Sequence, residues 1–513
     1  MRARTLMVQG TASSVGKSLL VTGLCRLFRR AGVKVAPFKA QNMALNAAVA
    51  IDGGEVGRAQ AVQAEAAGVP LTVDMNPVLL KPESDGRSQV VVLGRARGVI
   101  DARNWGERRA ELAPVIAGAL ERLRAAHELV IIEGAGSPAE VNLQATDLVN
   151  MHVARLADAP VLLAGDIDRG GVFASLVGTL ELLPAEDRAR VRGMVINKFR
   201  GERSLLEPGL AFLEQRTGIP VLGVLPFVRD LGISDEDSVN LDERAARQEP
   251  HRPEALQLAV IRLPHLSNQD DFDALASEPD VQLRFVEQPE QIAGADLVVL
   301  PGSKTTVGDL LWLRERGFEA PLQARAQRGE PLLGICGGCQ MLGEHLRDPG
   351  MIESELPSLP GLGLLPIATH FQPEKTVARV QIRLVTPSFL TDGQPLETTL
   401  AGYEIHAGEV TLLAGARALG RIETRNGQTA EVADGAVDGS VAGTVVHGLF
   451  ENAELRGRLL AHLRRRRGLE SPAPRPTRDR RDRPGPQDRY DRWADVVESN
   501  LDWPSVRALA GFD

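Results

Sequence analysis

The chain has 513 residues, so at ~100 to 200 residues per domain it holds two to four domains, with two large ones the natural division. Hydrophobic residues at 43 % and charged residues at 25 % are near the globular average, and 51 Gly with 32 Pro are too few for a low-complexity chain, which excludes collagen-like, coiled-coil and wholly disordered classes. The net charge of −8 gives no general attraction to nucleic acid or to an acidic membrane, so any anionic partner must be bound locally.

The opening residues carry a short apolar stretch that ends at Gly10, which reads as a first strand and not as a signal peptide. Short apolar runs ending in Gly, Asp or Pro recur, at 6–9, 33–37, 129–133, 161–166, 193–197 and 221–226, with helix-like stretches between them. Buried strands alternating with helices imply a mostly parallel sheet, so 1–233 reads as a first α/β domain. Residues 234–255 crowd acidic residues and Pro without apolar periodicity and read as a linker. A second series, at 256–261, 283–286, 296–300 and 331–335, opens another α/β domain over 256–465, richer in β-type sequence at 378–384 and 441–446.

From Arg464 to Arg489 there are ten Arg and five Pro and almost no apolar residues. This stretch, with 466–489 as its span between domains, reads as a solvated tether rather than a nucleic-acid patch. The last residues, 490–513, place Tyr490, Trp493, Val497, Leu501 and Trp503 at helical spacing and predict a docked terminal helix. No run approaches the ~20 apolar residues of a bilayer span. Three cysteines cannot build a disulfide framework, so a reducing, cytoplasmic setting is expected.

Two local motifs carry chemistry. The string Gly10-Thr11-Ala-Ser-Ser-Val-Gly16-Lys17-Ser18 follows a predicted strand and opens a predicted helix, the context a phosphate-binding loop requires. Its backbone N–H groups and helix N-terminus would cradle phosphate oxygens, with Lys17 on the β/γ charge and the Ser18 hydroxyl on Mg²⁺. Five residues separate the two glycines, where the usual pattern has four; this resembles the loop of the dethiobiotin synthetase-like ATPases. That resemblance implies a Mg²⁺-holding role for Glu133, at the end of a buried strand, and an adenine-reading role for Asn197 in Asn197-Lys198. Asp166, at another strand end, is a candidate second metal contact, with Asp52 and Glu55 as competitors and helix capping as the bland alternative. Lys39, Gln41 and Asn42 follow the second strand and are candidates for contacts with a substrate carboxylate or the γ-phosphate; loop-structuring is the alternative.

The second motif is Gly334-Ile-Cys336-Gly337-Gly-Cys339-Gln, a strand-to-helix turn with small neighbours, suited to exposing a thiolate near a positive helix end. Cys336 sits at its tip. A zinc or redox pair with Cys339 lacks a second Cys pair and a nearby His. A base is needed: His447 stands after an apolar run, and His406, in Gly402-Tyr-Glu-Ile-His406, is the competitor. Backbone N–H groups of Gly302, in Leu300-Pro-Gly-Ser-Lys304, and of Gly337 would form an oxyanion hole.

The thiol turn, the Pro-Gly-Ser loop and the late histidine resemble a class I glutamine amidotransferase domain, which implies release of ammonia from glutamine through a glutamyl thioester. The usual carboxylate two positions after the histidine is here Leu449, as in the subgroup fused behind dethiobiotin synthetase-like domains, the corrinoid amidases. Within it, segments at 37–46, 75–82, 133–140, 166–173, 196–200, 300–304 and 402–406 are similar to those of the cobyric acid synthase family. The resemblance implies two mostly parallel α/β domains, with ATP, Mg²⁺, glutamine and a corrinoid polycarboxylate as ligands. It further implies amidation of the b, d, e and g carboxylates of adenosylcobyrinic acid a,c-diamide, with neither nucleic acid nor membrane as partner. The rivals are a sister amidase acting on the a and c carboxylates or on a cell-wall precursor, and a ParA-like regulatory ATPase with an inactive amidotransferase domain. Against the last, the position of the partition ATPases' signature lysine is Ala12.

Overall fold

The computed structural model describes residues 2–512 except 85, 102–104, 229–230, 234–251 and 470–485. The chain divides into two compact units: 1–44, 56–237 and 478–513 form the first, and 45–55 with 238–477 the second.

The first unit is built on a six-stranded sheet in the order Val221–Pro226, Val191–Phe199, Val161–Asp166, Arg4–Gly10, Leu129–Glu133, Val35–Phe38, every pair parallel. The strand Leu129–Glu133 is buried along its whole length, as a strand in a sheet covered on both faces must be. Because the strands are parallel, the loop after Arg4–Gly10, the carboxylate of Glu133 and the residues after Val35–Phe38 emerge at one edge. In open α/β sheets that is the ligand-binding edge. The helix Lys17–Arg30 is buried at every position from Leu20 to Phe28, as a helix covered on more than one side must be. A smaller four-stranded sheet, Gln41–Met43, Val78–Ser84, Arg87–Val92 and Arg95–Asp101, stands apart from the main one.

The expected single terminal helix is two, Pro486–Asn500 and Trp503–Leu509. The break falls where the Asp502 side chain accepts a hydrogen bond from Ser505 N at 3.1 Å and caps the second helix ahead of Pro504. Both helices pack on Lys17–Arg30. Trp493 Nε1 donates to Leu19 O at 2.6 Å, the Trp503 and Phe28 rings meet edge-on at 4.7 Å, and Arg26 Nε donates to Asp491 at 2.7 Å. Gly23 permits this approach, since a Cβ there would lie 2.8 Å from Val497.

The second unit holds a six-stranded sheet in the order Val281–Val286, Leu256–Ile261, Leu297–Leu300, Leu332–Ile335, Val441–Thr444, Ala436–Asp438, parallel except for the last pair. A second, mostly antiparallel sheet centres on the long strand Ile367–Leu384, paired with Leu400–Leu412 and Gly420–Arg425. This is the β-rich sequence expected late in the domain. The helix Ala453–Arg467 corrects one reading, because it takes in Arg464 to Arg467, assigned above to a tether. Four arginines in a last turn suit the negative end of a helix, and Gly468 at φ 71° ends it. Arg464 and Arg467 also pair with Asp280 and Asp296 at 2.7 and 2.9 Å. The far end of the tether, 486–489, opens the first terminal helix, so that helix starts earlier than expected; 470–485 and most of the expected linker, 234–251, lie outside the described residues. Among the described residues no helix is long and apolar enough to cross a membrane.

Candidate active site

In the first unit, Gly10 and Gly16 are required by space. A Cβ on Gly10 would lie 2.5 Å from Val15, and one on Gly16, at φ 93°, 2.2 Å from the Asn197 amide nitrogen. Thr11 N donates to Ala164 O at 2.9 Å, which ties the loop to the neighbouring strand. Lys17 is buried, and its ammonium donates to Ala12 O at 2.9 Å and Gly136 O at 3.1 Å, so it lies curled over its own loop. The Ser18 hydroxyl donates to Glu133 Oε1 at 2.9 Å. Glu133, 1 % exposed, also accepts from Lys39 Nζ at 2.8 Å and from Gln63 Nε2 at 2.5 Å. A hydroxyl and a carboxylate side by side beneath a phosphate loop are oxygen donors of the kind a hard cation prefers, so these residues fit Mg²⁺.

The remaining candidates of this unit separate. Asp166 is not beside Glu133, because their strands flank Arg4–Gly10 on opposite sides, about 10 Å apart at the usual strand spacing. Its carboxylate accepts instead from Lys198 Nζ at 2.9 Å, and Lys198 also donates to Ser14 O at 2.7 Å. Among the described residues no group of three His, Cys, Asp or Glu side chains is arranged to hold a metal. The Asn197 amide braces the loop, donating to Val15 O at 2.8 Å and accepting from Lys198 N at 2.9 Å. Asn42 is likewise bound within the protein, to Gln60 and to Met43 N, whereas the Gln41 side-chain oxygen is buried with no hydrogen-bond partner among the described residues. Glu55, a competitor for metal, belongs to the second unit and pairs with Lys375 at 2.8 Å.

In the second unit, Cys336 turns at φ 51°, ψ −112°, a strained conformation for a residue with a Cβ, between the strand Leu332–Ile335 and the helix Gly337–Leu342. The glycines after it allow the turn to pack backbone on backbone. A Cβ on Gly338 would lie 2.0 Å from Leu300 O, and one on Gly337 3.0 Å from Ser303 N. Gly302 abuts the histidine: its Cβ would meet His447 Cε1 and Ser267 O at 3.0 Å. The Pro-Gly-Ser loop, the thiol turn and His447 are therefore assembled in one place.

His447 is 1 % exposed, and its Nδ1 is held by Asp271 Oδ2 at 2.7 Å, while Asp271 Oδ1 accepts from Gly448 N at 2.7 Å. One carboxylate thus fixes both the ring and the turn after it, the task that a carboxylate at position 449 would have had. Burial opposes charge on His447, but the carboxylate of Asp271 and the thiolate of Cys336 outweigh it and push its pKa up to about 10. Burial raises the Cys336 thiol, yet His447, then His406 and the Gly337 N–H, bring it below its ordinary value. Cys339 is the opposite case, driven well above its ordinary value by burial and by Asp434, with its sulfur filling the space beside Gly443.

His406 lies on the strand that passes the thiol, where Cys336 Sγ is 3.6 Å from Ile405 O. Its own nitrogens are committed, Nδ1 to Gly408 O at 3.0 Å and Nε2 to Glu404 at 3.3 Å, and Glu404 is clamped by Arg425 at 2.7 and 2.8 Å. Asp271 was absent from the sequence reading. It stands in Asn268-Gln-Asp-Asp271-Phe, 176 positions before His447, and no local motif marks it.

Residues 6–240 match the family model of the CobQ/CobB/MinD/ParA nucleotide binding domain, and residues 257–455 that of the CobB/CobQ-like glutamine amidotransferase domain. Over 524 aligned residues, covering all of both chains, the protein is 55 % identical to the cobyric acid synthase of Sorangium cellulosum (strain So ce56). The chain belongs to the cobyric acid synthase family. Cobyric acid synthases of Dehalococcoides mccartyi (strain CBDB1) and Moorella thermoacetica (strain ATCC 39073 / JCM 9320) are 47 % and 48 % identical to it, with at least 98 % of each chain covered. The two domain matches divide the two sites between them: Lys17, Ser18, Lys39 and Glu133 fall in the first, and Asp271, Cys336 and His447 in the second. A cobyric acid synthase family member thus carries one cluster suited to phosphate and one built around a buried, activated thiol.

Proposed function

We propose that the protein amidates the b, d, e and g carboxylates of adenosylcobyrinic acid a,c-diamide, using ATP and glutamine. The observation that carries this reading is full-length identity to cobyric acid synthases combined with an intact thiol, histidine and carboxylate group and an intact phosphate loop. A carboxylate is a poor electrophile, so ATP bound at Gly10 to Ser18 phosphorylates it. Lys17 exchanges its carbonyl partners for phosphate oxygens and stabilises the charge that shifts during transfer. Ser18 and Glu133 would hold Mg²⁺, which when bound neutralises phosphate charge. Lys39, already on Glu133, and Gln41, through the N–H of its side-chain amide, would orient the carboxylate or γ-phosphate.

In the other unit, Cys336 attacks the side-chain amide carbon of glutamine. The N–H groups of Gly302 and Gly337 receive the developing oxyanion, and His447 gives its Nε2 proton to the departing ammonia. Water then hydrolyses the glutamyl thioester and restores the thiol. Ammonia displaces phosphate from the acyl phosphate to leave the amide. The test is to incubate the diamide with the protein, ATP, Mg²⁺ and glutamine and count amides by mass spectrometry. Four additions, each lowering the mass by about 1 Da as OH is replaced by NH₂, support the reading; no addition to the diamide, with amides formed only at a and c of an unamidated corrinoid incubated in parallel, removes it.

A further inference from the structure

Residues 45–55 stand in chain order among the elements of the first unit, yet they pack within the second, and they are pinned at both ends. At one end each of two asparagines accepts a hydrogen bond from the residue that follows the other: Asn268 Oδ1 accepts from Ala47 N at 3.0 Å, and Asn46 Oδ1 accepts from Gln269 N at 3.2 Å. Both side chains are buried, at 5 % and 1 % exposure. Asn268 adopts φ 55°, a left-handed conformation that Asn tolerates better than most residues, and so opens the turn Gln269–Phe272. Asp271 lies on that turn, and its N–H donates back to Asn268 O at 3.1 Å. At the other end, Glu55 is 1 % exposed and accepts from Lys375 Nζ at 2.8 Å. Lys375 is paired across the ladder with Ala407, the neighbour of His406 on the strand that passes Cys336.

A largely buried ion pair and two buried amides cost more to desolvate than apolar side chains of the same size, and such groups are best understood where they fix a register. Here the register they fix is that of the turn that carries Asp271 and of the strand pair that passes the thiol. We propose that residues 45–55 are a clasp that sets the geometry of the glutamine-hydrolysing site, with Asn46 a positioning residue for Asp271. The proposal rests on the reading of Cys336, His447 and Asp271 as that site. Loss of the Asn46 oxygen leaves the Gln269 N–H without its acceptor and frees the turn that aims Asp271 at His447. A displacement of about 1 Å in such a group is enough to slow catalysis roughly 10²-fold.

The full-length protein with Asn46→Ala tests this, assayed for glutamine hydrolysis and, separately, for corrinoid amidation driven by ammonium. The expected result is a fall in kcat for glutamine of about 10-fold or more, with KM changed much less and ammonium-driven amidation unchanged. The upper pH limb of kcat/KM should also move down. The groups facing His447 are Asp271, Cys336 and the stacked Tyr403 ring, and the clasp acts on Asp271. Asn46→Asp retains an acceptor oxygen and should recover most of the rate. Unchanged hydrolysis and pH limb in Asn46→Ala, equal losses with both nitrogen donors, or no recovery in Asn46→Asp would overturn the clasp. Hydrolysis persisting in Cys336→Ala would instead overturn the site reading itself, and the clasp with it.

Discussion

Asp271 Oδ2 lies 2.7 Å from His447 Nδ1, joining two residues 176 positions apart. With Nδ1 committed, Nε2 is the ring atom left to serve Cys336, and the carboxylate supports the charged ring. The sign of the resulting pH dependence follows. The thiolate and imidazolium pair exists above the thiol's lowered value and below about 10, where His447 gives up its proton. Asp271→Asn removes the support, so the upper limb of kcat/KM for glutamine should fall from near 10 towards the ordinary histidine value of 6.5. The rate at neutral pH should drop roughly 10²- to 10⁴-fold, with ammonium-driven amidation retained. An unmoved limb in a glutamine hydrolysis profile would exclude Asp271 from this role.

Cys336→Ala should abolish glutamine use and leave amidation with ammonium, because only the nitrogen source is lost. Cys339→Ala should keep hydrolysing glutamine, since its raised pKa holds it as the thiol and its sulfur fills core space. Deleting that buried sulfur should cost about 1 to 3 kcal/mol in denaturant unfolding. A dead Cys339→Ala alongside an active Cys336→Ala would reverse the two assignments.

Lys17→Ala should lose amide formation with either nitrogen donor, roughly 10²-fold or more, because the ammonium acts on charge that shifts with the phosphoryl group. ADP release and amide formation measured together check this. Amidation at the wild-type rate would remove the phosphate-loop mechanism.

His447→Ala should stop glutamine hydrolysis. Leu449→Ala should keep the chemistry while losing stability, because Leu449 is 5 % exposed and its truncation in a packed core costs about 2 to 5 kcal/mol. Comparing kcat with the denaturant midpoint separates the two effects. His406→Ala should retain a measurable rate, its nitrogens being occupied by Gly408 and Glu404. Wild-type hydrolysis in His447→Ala, with loss in His406→Ala, would pass the base role to His406.

What could be read beforehand was local. The phosphate loop and the thiol turn are contiguous strings whose glycines answer to space within a few residues, and the parallel strands are unbroken apolar runs. Asp271 was not legible, because its partner is distant and an Asp-Asp pair in a loop resembles ordinary surface sequence. The surroundings of Asp166 were hidden for a related reason: a carboxylate at a strand end looks the same on either side of the central strand, and only strand order puts it with Lys198. The strands of the small sheet between Gln41 and Asp101 include one of only three residues, too short to show a period. The arginines at 464–467 read as tether because charge was visible and their partners, Asp280 and Asp296, were not.

The helices that cover Lys17–Arg30 come from the far end of the chain, and this has a bearing on biosynthesis. Tyr490, Trp493, Val497 and Val506 complete the core beneath the phosphate loop, but they leave the ribosome only after all of the second unit. The nucleotide-binding half therefore cannot finish folding in the usual N-terminal-first order. Until those residues arrive, the side of the helix at Leu19, Gly23 and Phe28, where Trp493, Val497 and Trp503 pack, stays uncovered, a surface for chaperones to shield. ATP-binding competence should thus appear late, when the glutamine half is already made, so that a chain cut short in translation is left without a mature ATP site.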